Sequence, residues 1–150
     1  MRISTWTRVR GRRSADLRRH NVLASAHDRS ETGKQPVAQA LLDGLWRDQA
    51  GALSTQVLQE LYVVVTRKFD PPMPRGAARE LVVLYATWPV VQIDVPLVLA
   101  ASELEERHRL SFWDALVVEA ARRVGATRLA TEDLQPGRDI AGVRTENPFG

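Results

Sequence analysis

Apolar positions recur with a helical period in five stretches of the chain, at about 35–48, 55–68, 75–87, 96–108 and 112–124, and short β-rich runs lie between them. Ser54 stands as an N-cap before Thr55, and Pro71-Pro72 stops the helix that follows. Ser111 caps the last helix and Gly125 ends it. Strands fit Ala52-Leu53, Val90-Val91-Gln92-Ile93, Arg128-Leu129-Ala130 and Gly142-Val143-Arg144, each beside a helix. This alternation predicts an α/β domain with a parallel sheet. The pattern is one strand short: ahead of the first helix, residues 1–20 offer only Arg, Ser, Thr and isolated apolar residues.

Charge separates the same two regions. Residues 1–20 hold seven Arg against the single acid Asp16, which leaves fourteen basic and seventeen acidic side chains for residues 21–150. The body is therefore mildly acidic, and the high isoelectric point belongs to the leader rather than to a phosphate-binding face. That leader has neither the apolar core of a secretory signal nor the amphipathic stripe of a transit peptide. No apolar run approaches the roughly 20 residues of a membrane span. The chain has no Cys, which removes thiolate metal sites and thiol nucleophiles from consideration.

Three carboxylates stand out by position. Asp114 lies three residues after Ser111 at the start of a helix that is apolar on nearly every side. It reads either as a capping acid that favours the helix dipole or as a buried carboxylate that needs a cation. Glu60 sits at the edge of the apolar stripe of the second helix, either as a solvated edge residue or as a ligand. Asp133 follows the strand Arg128-Leu129-Ala130, and open α/β sheets bind ligands beyond the carboxyl ends of their strands. Its alternative is a plain loop acid. Taken together, the three point to a hard-cation site for Mg²⁺ or Mn²⁺, which favour carboxylate and water oxygens and can polarise a phosphodiester. His20, His27 and His108 are scattered and read as surface or core residues, not as bases.

Four ordered segments carry a resemblance: Asn21-Val22-Leu23, then Leu53 to Tyr62, then Leu110 to Val118, then Leu129 to Leu134. Over roughly 21–149 the chain resembles the PIN domain, and within it the VapC-like ribonuclease toxins of type II toxin–antitoxin modules. The resemblance implies a five-stranded parallel sheet between helices and Mg²⁺ or Mn²⁺ dependence. It also implies cleavage of single-stranded RNA, a cognate antitoxin and frequent homodimers, while the expected cytoplasmic setting rests on the absence of Cys, which suits a reducing compartment. It marks Glu60, Asp114 and Asp133 as the metal-site and catalytic acids, with Asn21, Ser54 and Thr131 as supporting polar residues.

One departure is sharp. The family opens with an apolar strand ending in Asp-x-Asn-Val-Leu, and Arg19 stands where that Asp, a central metal ligand, belongs. A guanidinium repels the ion that the acids are meant to hold. Asp16 reaches the position only by a three-residue register shift. A frame hypothesis accounts for the departure. Leu17-Arg18-Arg19-His20 is compatible with CTT CGT CGA CAC, which one base later reads Phe-Val-Asp and the start of Thr. The hypothesis fails if the shifted frame of the nucleotide sequence does not encode an apolar strand ending in Asp. The expectation is thus an α/β, PIN-like Rossmannoid sheet sandwiched by helices with its first strand degraded. Residues 1–20 are an Arg-rich disordered or aberrant leader, and 21–150 the domain. The expected function is a metal-dependent endoribonuclease impaired by that loss. The rival readings are an inactive PIN-like remnant that binds RNA or antitoxin, and a nucleic-acid binder acting through the leader.

Overall fold

The computed structural model describes residues 3–5 and 22–150. After strand β1 (Ile3–Thr5) come α1 (Val22–Ser25), α2 (Lys34–Asp48), β2 (Gly51–Ser54), α3 (Thr55–Arg67), α4 (Arg75–Tyr85) and β3 (Val90–Val91). Then follow α5 (Val95–His108), α6 (Phe112–Arg123), β4 (Arg128–Ala130), β5 (Asp139–Ile140) and β6 (Val143–Glu146). The five long helices sit where the apolar period predicts them, within two residues at every end.

The strands form one sheet in the order β3-β2-β1-β4-β6-β5. Five of them are parallel, as the resemblance implies, and the short β5 adds an antiparallel edge against β6. Residues 139–143 form the hairpin between the two, with Ala141 and Gly142 both at positive φ, 53° and 88°. Two consecutive positive φ values make the tight turn whose twist suits a hairpin. The sequence expectation placed a strand from Gly142; the turn takes that glycine and the strand begins at Val143.

The strand missing from the sequence reading is supplied from the Arg-rich leader. Ile3–Thr5 fills the middle of the sheet, with Ser4 opposite Ala52 on one side and Leu129 on the other. The remainder of the leader, with Arg19, His20 and Asn21, lies outside the described residues.

Strand order makes β1 the point where the chain changes direction across the sheet: β1 to β2 to β3 runs one way, and β4 and β6 return on the other side. Because crossovers between parallel strands are right-handed, connections running in opposite directions fall on opposite faces. α2 and α3 therefore lie against one face, with α4 packed on α3, and α6 against the other, with α5 packed on α6. α6 packs against both α5 and the sheet, and every residue from Asp114 to Ala121 is buried. This explains a helix that is apolar all round. Leu53, Leu61, Leu97, Leu129 and Ile140 are fully buried in the core between these layers. At the opposite end of β2, the Trp88 ring lies so close to Gly51 that a Cβ there would stand 2.7 Å from it. Trp46, Tyr85 and Trp88 stack around this point, with Trp46 and Trp88 centroids 4.7 Å apart.

Candidate active site

A reversal of strand order opens a crevice beyond the carboxyl ends of the flanking strands. Here those ends belong to β2, β1 and β4. Ser54 closes β2 and at once caps α3, its Oγ accepting the Val57 N–H at 3.4 Å. The absence of any linker between strand and helix brings the first turns of α3 to this edge. Gln56, on the first turn, is buried, while Glu60, one turn further, is half-buried. The Gln56 amide donates from Nε2 to Glu60 Oε1 at 3.3 Å.

α6 runs back along the sheet into β4, so its N-terminus lies at the same edge. Asp114 is 7% exposed there. Its N–H donates to Ser111 Oγ at 3.1 Å, and that hydroxyl donates to Asp114 Oδ2 at 2.9 Å. Ser111 is the cap, and the Asp114 carboxylate accepts its hydroxyl at the positive end of the helix dipole. Capping does not exclude a ligand role, since an ionised carboxylate can accept from several directions at once.

Beyond β4, Thr131 is buried and its hydroxyl accepts the Asp133 N–H at 3.1 Å. Asp133 is 8% exposed. Glu132 pairs with Lys34 Nζ at 2.6 Å. The rest of this loop is held by Thr145, a fully buried residue of β6. Its hydroxyl accepts the Arg138 N–H at 3.0 Å and donates to the Gln135 carbonyl at 2.6 Å.

The fold thus brings Ser54, Asp114, Thr131 and Asp133 to element ends on one edge of the sheet, with Glu60 one turn into α3 from Ser54 and Gln56. It does not assemble a cage: among the described residues, no three His, Cys, Asp or Glu side chains are grouped closely enough to hold an ion. Asn21 lies outside those residues. The donors nevertheless fit Mg²⁺ or Mn²⁺ in kind. All are carboxylates, two are more than nine-tenths buried, and Mg²⁺ is commonly held by one or two carboxylates while it keeps its waters. The sequence also bears on the β1 end. No acid occurs between residues 1 and 15, so the residues that directly follow Thr5 offer no carboxylate.

Of the histidines, His20 lies outside the described residues. His27 Nε2 lies 2.9 Å from the Tyr85 hydroxyl in the aromatic cluster, and the His108 carbonyl accepts from Arg138. Gln56 and Thr145 are the polar residues that sequence reasoning missed. Thr145 could have been found from the alternation of Val143-Arg144-Thr145-Glu146. Gln56 carries only the four-residue spacing to Glu60 as a signal.

A family model described as the PIN domain matches residues 20–139. A crystal structure of the Mycobacterium tuberculosis VapC20 toxin, described as a sarcin-ricin loop cleaving toxin, superposes with a TM-score of 0.56 at 20% identity. The superposition covers 83% of this chain and 95% of that one, and at such identity it speaks for the fold alone. No curated protein matches this chain.

Proposed function

The chain belongs to the PIN-domain family, and we propose from that premise that it is a toxin-like, metal-dependent endoribonuclease of single-stranded RNA. Glu60, Asp114 and Asp133 would hold Mg²⁺ or Mn²⁺, directly or through the waters it keeps, and serve as its catalytic acids, with Asn21, Ser54 and Thr131 as polar support. One observation carries this: Asp114 and Asp133 are both buried at the edge where strand order reverses. Two carboxylates so placed are costly unless a cation or strong donors compensate them.

Bound there, the ion would polarise a phosphodiester and supply a nucleophilic water. The chain's own residues do the positioning. Ser111 fixes the carboxylate of Asp114, and Thr131 and Thr145 fix the loop of Asp133. A site on braced elements keeps its geometry without reorganisation during the reaction.

The partners proposed are an RNA, a cognate antitoxin and a second copy of the chain, in the cytoplasm. A groove of about 630 Å³ between α3 and α4, lined by Leu58, Tyr62, Val63, Val82 and Val83, supports a protein partner. No helix among the described residues is long and apolar enough to cross a membrane.

A second reading has its own support. Arg19 stands at the expected ligand position, and the family match begins only at residue 20. Both favour an aberrant leader and an impaired or inactive PIN-like module that binds RNA or antitoxin. The deciding experiment is RNA cleavage with Mg²⁺ or Mn²⁺, with and without chelator. The chain would be assayed beside a variant carrying Leu17→Phe, Arg18→Val, Arg19→Asp and His20→Thr. Cleavage by that variant alone, silenced by Asp114→Asn, means a nuclease impaired at its first strand. Equal cleavage by both means that Arg19 does not occupy the ligand position, and cleavage by neither favours the binding module.

A further inference from the structure

We infer that Gln56 is a positioning residue that holds the Glu60 carboxylate in place and is kept at the expense of stability. The inference rests on the reading of Glu60 as a site acid.

Gln56 is the second residue of α3 and is 8% exposed. Its Nε2 donates to Glu60 Oε1 at 3.3 Å, while its Oε1 is buried and has no hydrogen-bond partner among the described residues. A buried carbonyl in that state loses its hydration and regains nothing for it. An apolar side chain of the same length would relieve the loss, so the fold alone gives no reason for an amide here. Capping gives none either, because Ser54 already accepts from the first turn of α3. What the amide does provide is a neutral donor beside a carboxylate. A Lys or Arg at this position would neutralise Glu60 and compete with a cation, whereas an amide N–H orients the carboxylate and leaves its charge intact. A buried polar group that breaks the packing rule without structural return is the pattern expected at a functional position.

The test measures Mn²⁺ binding to the full chain by water-proton relaxation, and thermal unfolding without metal. The variants are Gln56→Met, Glu60→Gln and the two combined. Gln56→Met is expected to unfold at the same or a higher temperature and to bind Mn²⁺ about tenfold more weakly, the loss usual for a group that orients a ligand. Glu60→Gln is expected to weaken binding by itself, and the combined variant no further. Gln56→Leu replaces Gln56→Met if the latter does not fold. A lower unfolding temperature with unchanged Mn²⁺ affinity makes Gln56 a packing residue and overturns the inference. Losses that add fully in the combined variant overturn it as well, because Gln56 then does not act through Glu60. If Glu60→Gln leaves Mn²⁺ binding untouched, it is the reading of Glu60 as a ligand that fails, and the inference goes with it.

Discussion

Ser111 and Asp114 hold each other twice: the hydroxyl accepts the Asp114 N–H at 3.1 Å and donates to its carboxylate at 2.9 Å. A helix cap and a candidate ligand are therefore one unit, and two substitutions separate its roles. Ser111→Ala should lower stability by about 1 kcal/mol, the usual loss for a cap, read as a shift in the urea midpoint. Asp114→Asn keeps much of the cap and should silence cleavage in any form of the chain that cuts RNA. Equal stability losses with equal residual cleavage would show that Asp114 is only a cap.

Gly51→Ala should be among the most damaging single-methyl changes. The added Cβ would meet three atoms of the Trp88 ring at 2.7 to 2.8 Å. That ring is buried between Trp46 and Tyr85, so it cannot move without disturbing both. Overpacking of this kind costs about 1–3 kcal/mol, and chemical denaturation would measure it. The paired change Gly51→Ala with Trp88→Leu should recover part of the loss.

The helices, and the caps Ser54 and Ser111, were legible in the sequence because each is specified locally: an apolar period between Ser54 and Pro71, another between Ser111 and Gly125. The parallel strands β2 and β4 followed from their neighbours. Ile3–Thr5 was not legible, since three residues among arginines carry no alternation and gain strand character only from Ala52 and Leu129 on either side. Asp139–Ile140 was hidden for the same reason, and Ala141-Gly142 is a weaker turn signal than Asn-Gly. Asp114 and Asp133 could be singled out as candidates because a cap and a strand end mark them. Gln56 was not, because a glutamine in a helix is ordinarily exposed.

Thr145→Val should loosen the Asp133 loop. It removes the acceptor of the Arg138 N–H and the donor to the Gln135 carbonyl, both at a fully buried site. Leaving such groups unpaired costs about 1–3 kcal/mol. Hydrogen exchange should show faster exchange over 131–138 than in α6, and Thr145→Ser should restore protection. Uniform acceleration across the domain would contradict a local role.

Stability should also carry a pH signature from His27. Burial lowers the His27 imidazole below its ordinary 6.5, and burial first, then Asp43, raises the Tyr85 hydroxyl well above its usual range. The hydroxyl thus stays protonated and can donate to neutral His27 across 2.9 Å. Below 6.5 the unfolded chain takes up a proton that the folded imidazole resists. This contribution is therefore complete above that pH, declines as pH falls toward the folded value and levels off below it. Urea unfolding at several pH values between 7.5 and 5 should show the decline, and His27→Asn should flatten it. An unchanged slope in the variant would assign the effect elsewhere.

The sheet can be seen as two ribbons, β3-β2 and β4-β6-β5, sewn along a seam of three residues. α6 lies across both ribbons, packed on β2, β4 and β6, and acts as their splint. Ser54 ends one ribbon, and Thr131 and Asp133 follow the end of the other. The width of the seam, about 10 Å from β2 to β4 across one intervening strand, therefore sets the gap between the two banks of the crevice. Ile3–Thr5 thus acts as a spacer: it fixes how far the Ser54 end of one ribbon stands from the Thr131 end of the other.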